Sequence, residues 1–148
     1  MIAFKIQGRI KFKALVEQYV ASILRELQIH RLKKPCIIIN FRTTLSDDRL
    51  GLCVGDEDFA LIEIARVSGN ERIPYLDMMQ NLAHELVHAK QFIKGELGYN
   101  SFGDWRWKNR NAGGYRYKNQ PWEKQANKLE SLLFQKCFPT NQLRGRAR

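Results

Sequence analysis

Residues 74–95 read PYLDMMQNLAHELVHAKQFIKG, and the architecture is decided there. Pro74 suits the start of a helix, where its missing N–H costs nothing. After it, Leu76, Met79, Leu82, Ala83, Leu86, Val87 and Phe92 recur at helical spacing, which carries the helix to about Gly95. Inside it, His84-Glu85-Leu86-Val87-His88 is an H-E-x-x-H pattern. Residues four apart project from one helix face, so two imidazoles can converge on a single Zn²⁺ at about 2.0–2.1 Å. Glu85 points slightly to the side, where it can hold the metal's water and take its proton. Leu82, Leu86 and Val87 back this ligand face with core.

Working outward, Phe12, Leu15, Val16, Tyr19, Val20, Ile23, Leu24 and Leu27 form an apolar stripe, which predicts an amphipathic helix over 12–27. Pro35 ends any helix, and Cys36–Phe41 is short and β-branched, so it reads as a strand. Leu50–Val54 and Phe59–Val67 read as two more. In the last, Leu61, Glu63, Ala65 and Val67 share one face, with Ile62, Ile64 and Arg66 on the other. The stretch 95–120, rich in glycine, asparagine, tyrosine and tryptophan, reads as one long loop. Pro121 opens a closing helix with Trp122, Ala126, Leu129, Leu132 and Leu133 facing inward, to about Phe138. The expectation is an α+β domain: an N-terminal helix, a small sheet of three to four strands, the H-E-x-x-H helix and a closing helix. One domain spans 1–148, with its ordered core at about 10–138 and a basic tail at 140–148.

Composition narrows the function classes. The chain has 148 residues and a net charge of +10, with 44% apolar and 27% charged residues, so wholesale disorder is excluded. No apolar run approaches the roughly 20 residues of a membrane-spanning helix. The opening residues lack a secretory signal, and Cys36, Cys53 and Cys137 form no C-x-x-C pair. Buried free thiols in a cytoplasm (the host's, if the chain is phage-encoded) are the simplest expectation. Positive charge gathers at the two ends, the last of it on Arg144, Arg146 and Arg148, as in a protein that makes non-specific contact with nucleic acid.

Two histidines do not hold a catalytic zinc; a third protein ligand is expected. His30, the remaining histidine, lies at the end of the first helix, so a downstream carboxylate is needed. The candidates are Glu123, Glu130 and Glu96. Glu123 stands out because Pro121 and Trp122 fix it in the first turn of the closing helix, and Asn127 one turn on could support it or a histidine.

These residues resemble a known group. His84–His88, preceded by strands and followed by a helix opening Pro121-Trp-Glu123-Lys-Gln-Ala-Asn127, looks like a minimal zincin metallopeptidase. The pattern is similar to small phage and mobile-element zincins and to ImmA/IrrE-like peptidases, in which a Glu-x-x-Ala-Asn helix supplies the third ligand. SprT-like proteases share the general layout, but the chain lacks their further histidine and cysteine-rich zinc ribbon. The resemblance implies a cytoplasmic zinc peptidase acting on protein or peptide substrates through a metal-bound water activated by Glu85. His84, His88 and Glu123 would be ligands, and Tyr115, Tyr117 or Arg116 would stabilise the tetrahedral intermediate. In zincins the strand before the active helix often lies at the sheet edge and pairs with extended substrate, which implies that Phe59–Val67 is the edge here, with Glu63 and Arg66 flanking the bound peptide.

A different reading keeps the scaffold but makes it a nucleic-acid-associated binding or regulatory protein, using the basic ends with Trp105, Arg106, Trp107, Lys108 and Arg110. Binding alone, however, has no use for His84, Glu85 and His88 together.

Overall fold

A computed structural model describes residues 1–139. The basic tail expected at 140–148 lies outside the described residues. The chain is α+β, with three α-helices and mixed sheets among the described residues. Strand β1 (Ala3–Gly8) leads into α1 (Lys13–Glu26), then β2 (Cys36–Arg42), β3 (Gly51–Gly55) and β4 (Phe59–Ala65). A two-residue ribbon, β5 (Val67–Ser68) with β6 (Glu71–Arg72), precedes α2 (Tyr75–Ile93). Next come β7 (Leu97–Tyr99), β8 (Trp105–Trp107), β9 (Arg110–Asn111) and α3 (Pro121–Cys137). No helix among the described residues is long and apolar enough to cross a membrane.

The main sheet has the order β1-β2-β4-β3, parallel except for the antiparallel β3–β4 pair. Alternation along the strands buries Ile37, Ile39 and Phe41 of β2 and Ala60, Ile62 and Ile64 of β4 in one core with the three helices. The stripe of α1 meets this core, and the buried Tyr19 hydroxyl donates to the Met79 carbonyl at 2.8 Å, tying α1 to α2. Cys36, Cys53 and Cys137 are free, with Cys137 buried and the other two half-buried.

Four features depart from the sequence reading. Ala3–Gly8, outside the expected core, is an edge strand that buries Ile6; its parallel pairing with β2 comes from across α1, so local spacing does not announce it. Leu132, expected inward, is exposed, because the buried face of α3 runs through Trp122, Ala126 and Leu133. Residues 95–120 are not one irregular loop: they hold the antiparallel meander β7-β8-β9, with Leu97 and Ala112 in a second small core beside Phe92 and Trp122. Finally, β4 is an interior strand rather than an edge; the edge on its side of the sheet is β3.

Candidate metal centre

Helix α2 presents His84 and His88 one turn apart, and α3 crosses them with Glu123. The Nε2 atoms of the histidines are 3.2 Å apart. Glu123 Oε1 lies 3.0 Å from His84 Nε2, and Oε2 lies 3.0 Å from His88 Nε2. Glu123 holds this position because Pro121 begins α3 and Trp122, 2% exposed, is locked between the meander rings Trp105 and Trp107 at 5.2 and 6.0 Å. The segment 97–120 thus anchors the helix that brings Glu123 to the two histidines.

The opposite ring nitrogens have assigned partners. His84 Nδ1 meets Glu130 Oε1 at 3.1 Å, and an ionised carboxylate only accepts, so Nδ1 carries the proton. His88 Nδ1 meets Gln91 Oε1 at 2.8 Å. The Gln91 amide nitrogen donates to the Trp122 carbonyl at 3.0 Å and to Gln125 Oε1 at 2.8 Å, which leaves its oxygen to accept from His88. Both Nε2 lone pairs therefore face each other and an anionic oxygen. That arrangement calls for positive charge at its centre, from protons or a metal ion.

Electrostatics follow this logic. Burial works against the charged His84 ring, but the Glu123 hydrogen bond, the Glu85 charge and the Glu130 hydrogen bond outweigh it and push the imidazole up to about 9. His88 is raised in the same way, against its own burial, chiefly by Glu123. Burial would lift the Glu123 carboxyl, yet the hydrogen bonds from His84 and His88 hold it down at about 2. Burial raises the Glu85 carboxyl despite the pull of both histidines.

A divalent ion fits the donor set. Tetrahedral zinc with ligands at 2.0–2.1 Å has ligand–ligand edges of about 3.3 Å, and the triangle of Glu123 Oε1, His84 Nε2 and His88 Nε2, with sides of 3.0, 3.1 and 3.2 Å, falls within a few tenths of that. His84, Glu85 and His88 also offer ligand atoms within 4.8 Å of one another, so the cluster can hold a metal ion. The hydrogen bonds to Glu130 and Gln91 fix each ring's tautomer and orientation, as outer partners of metal-bound histidines do.

Glu85 is 7% exposed, and its Oε2 is buried without a hydrogen-bond partner among the described residues. Gly51 of β3 leaves it room: a Cβ there would lie 3.0 Å from Glu85 Cγ, close enough that the Glu85 side chain would have to give by a few tenths of an ångström. An open cleft of about 590 Å³ lies before His84 and Glu85, bounded by Leu50, Gly51, Tyr117 and Asn127. Partial burial and then the adjacent Glu123 carboxylate push the Tyr117 phenol up to about 12.

The remaining candidates are distributed as follows. Tyr115 packs edge-on against Trp122 at 6.4 Å, and Arg116 lies just before the short 3₁₀ turn Tyr117–Asn119. Glu96 pairs with Lys90 at 2.6 Å, and Glu130 serves His84. Glu63 pairs with Arg42 at 2.9 Å on β2. Arg66 donates to the Arg9 carbonyl at 3.1 Å and to Thr43 Oγ1 at 2.8 Å. Neither Glu63 nor Arg66 lines the cleft before His84 and Glu85, and β4, which carries Glu63, is covered by β3 on that side of the sheet. Trp105 and Trp107, offered to nucleic acid in the alternative reading, are half-buried against Trp122. The sequence reading missed Gln91; the signal was present, since Gln91 follows His88 by three residues on the same helix face.

No protein-family model matches the chain, and no curated protein matches it in sequence.

Proposed function

We propose that the chain is a zinc-dependent peptidase of the minimal zincin kind. The observation that carries this reading is the convergence of His84 Nε2, His88 Nε2 and the Glu123 carboxylate, with both Nδ1 atoms already committed to Glu130 and Gln91. A zinc ion held there would polarise the scissile carbonyl and acidify its attacking water.

The chain's own residues supply the other parts. Glu85, with its carboxyl raised by burial and one oxygen unpartnered, takes the proton from the attacking water and passes it to the leaving amine as the C–N bond breaks. Tyr117 keeps its phenolic proton at ordinary pH and offers it to the carbonyl oxygen as negative charge develops. The outer edge of β3, with Gly51 against Glu85, is the side on which an extended peptide can add as a further strand.

The test is Glu85→Gln, which keeps the shape and removes the base. With zinc content confirmed, hydrolysis of an unfolded protein should fall by about 10²- to 10⁴-fold. Full activity in that variant would end this mechanism.

A further inference from the structure

The N-terminal end of α2 borders a second cavity, about 490 Å³ in volume, that no part of the peptidase reading uses. It sits at the carboxyl ends of all three parallel strands: Arg9 and Lys11 follow β1, Thr43 follows β2, and Arg66 and Val67 follow β4. Crevices at this end of a parallel sheet are where ligands of α/β proteins bind. Arg72 and Ile73, leading into α2, close the far side.

Its charge is one-sided. Arg9, Lys11, Arg66 and Arg72 line it, and no carboxylate does among the described residues. None of the four is in an ion pair among the described residues. Four cations around one cavity repel each other, an unfavourable arrangement that a bound anion would relieve. Arg66 is also held in place: its guanidinium donates to the Arg9 carbonyl and to Thr43 Oγ1, leaving further N–H groups to offer. The framework is fixed by backbone bonds, Arg66 N–H to Arg42 O at 2.9 Å and Ile73 N–H to Arg66 O at 2.8 Å. Between the cations the wall is apolar, built from Ile10, Val67, Ile73 and buried Met78.

From this we infer that the cavity binds a phosphorylated small molecule of about mononucleotide size. Its phosphate meets Arg9, Lys11, Arg66 and Arg72, and its apolar or planar part rests on Val67, Ile73 and Met78. A volume of this size suits such a ligand, and the fork of an arginine suits phosphate oxygens. The inference is independent of the peptidase reading, because the cavity shares no lining residue with the cleft before His84, and its nearest residue on α2, Met78, lies about 9 Å along the helix from His84.

Isothermal titration of the full chain at low salt tests it, with inorganic phosphate, adenosine monophosphate, adenosine and a twelve-nucleotide single strand as probes. Adenosine monophosphate should bind with one site per chain at a Kd of about 1 mM or tighter, and adenosine should not. Arg66→Gln should weaken that binding about tenfold. Because Arg66 also braces the strands, the exposed Arg72→Gln is the companion variant, and it should weaken binding without changing the melting temperature. His84→Ala should leave it unchanged. Absence of saturable binding by phosphate and adenosine monophosphate, or binding unaffected by Arg66→Gln and Arg72→Gln, would overturn the inference. Binding of the single strand alone would also overturn it and give the cations to a nucleic-acid backbone.

Discussion

The two ends of α2 are electrostatic opposites. Near its middle and C-terminal half, three carboxylates (Glu85, Glu123 and Glu130) surround two histidines and call for a cation. At its N-terminal end, four cations surround a cavity without a carboxylate and call for an anion. They also differ in construction. The candidate cation site rests on two histidines four residues apart on a single helix, with every ring nitrogen and the Gln91 amide engaged in a partly buried network. The anion site is assembled from loops at positions 9–11, 43, 66–67 and 72–73, and most of its charged groups reach solvent. One helix therefore organises two sites by different means: side-chain spacing at one, strand ends at the other.

The sharpest way to break this comparison is to exchange lesions between the sites. His84→Ala and His88→Ala should each abolish stoichiometric zinc binding while leaving anion binding intact, and Arg72→Gln should weaken anion binding while leaving zinc binding intact. Loss of both functions in one of these variants, with the fold retained, would mean that the two ends are not separate.

A smaller effect ranks the carboxylates. Glu130→Ala removes the acceptor for His84 Nδ1 and should weaken zinc binding by about 10- to 100-fold. Glu123→Ala should weaken it by more, and Glu96→Ala, which breaks only the contact with Lys90, should leave it unchanged. Competition with a chelator of known affinity gives the order directly. If Glu130→Ala costs more than Glu123→Ala, the wrong carboxylate has been assigned as ligand.

The pair Gly51 and Glu63 sharpens the account of the sheet edge. Gly51→Ala places a Cβ against Glu85, so zinc should stay while hydrolysis drops by about tenfold through misplacement of the base. Glu63→Ala removes a partly exposed pair with Arg42 on an interior strand and should change kcat/KM little, with a stability loss of about 0–1 kcal/mol. Peptidase kinetics that respond to Glu63 and ignore Gly51 would restore β4 as the substrate strand.

The smallest expected effect concerns nucleic acid. Any binding outside the anion cavity should fall steeply with salt and show little sequence preference, because the charge comes without a groove-reading element. A salt-insensitive complex in a filter-binding assay would contradict that.

These differences also explain how much could be read in the sequence. The H-E-x-x-H pair, α1 and the start of α3 were legible because each depends on spacing within one element: an i, i+4 pair, an apolar stripe, and Pro121 ahead of Trp122. The strand β1 was not, since its pairing with β2 and its buried Ile6 are long-range facts. Nor was the identity of the sheet edge: β4 precedes α2 in sequence but is covered by β3, which folds back on it from upstream. The meander at 97–111 was hidden by its glycines and asparagines, which read as loop, whereas its tryptophans pack on a small core with Phe92. The role of Glu130 required knowing which face of α3 meets α2, and Arg66 became informative only when β1, β2 and β4 were seen to end together.

The central claim is that the histidines of α2 and Glu123 of α3 form a zinc site, and metal analysis of the purified chain tests it most directly. After equilibration with a modest excess of zinc and gel filtration, elemental analysis should find close to one zinc per chain, against close to none in His84→Ala. A zinc content near zero in the folded wild-type chain would contradict the account.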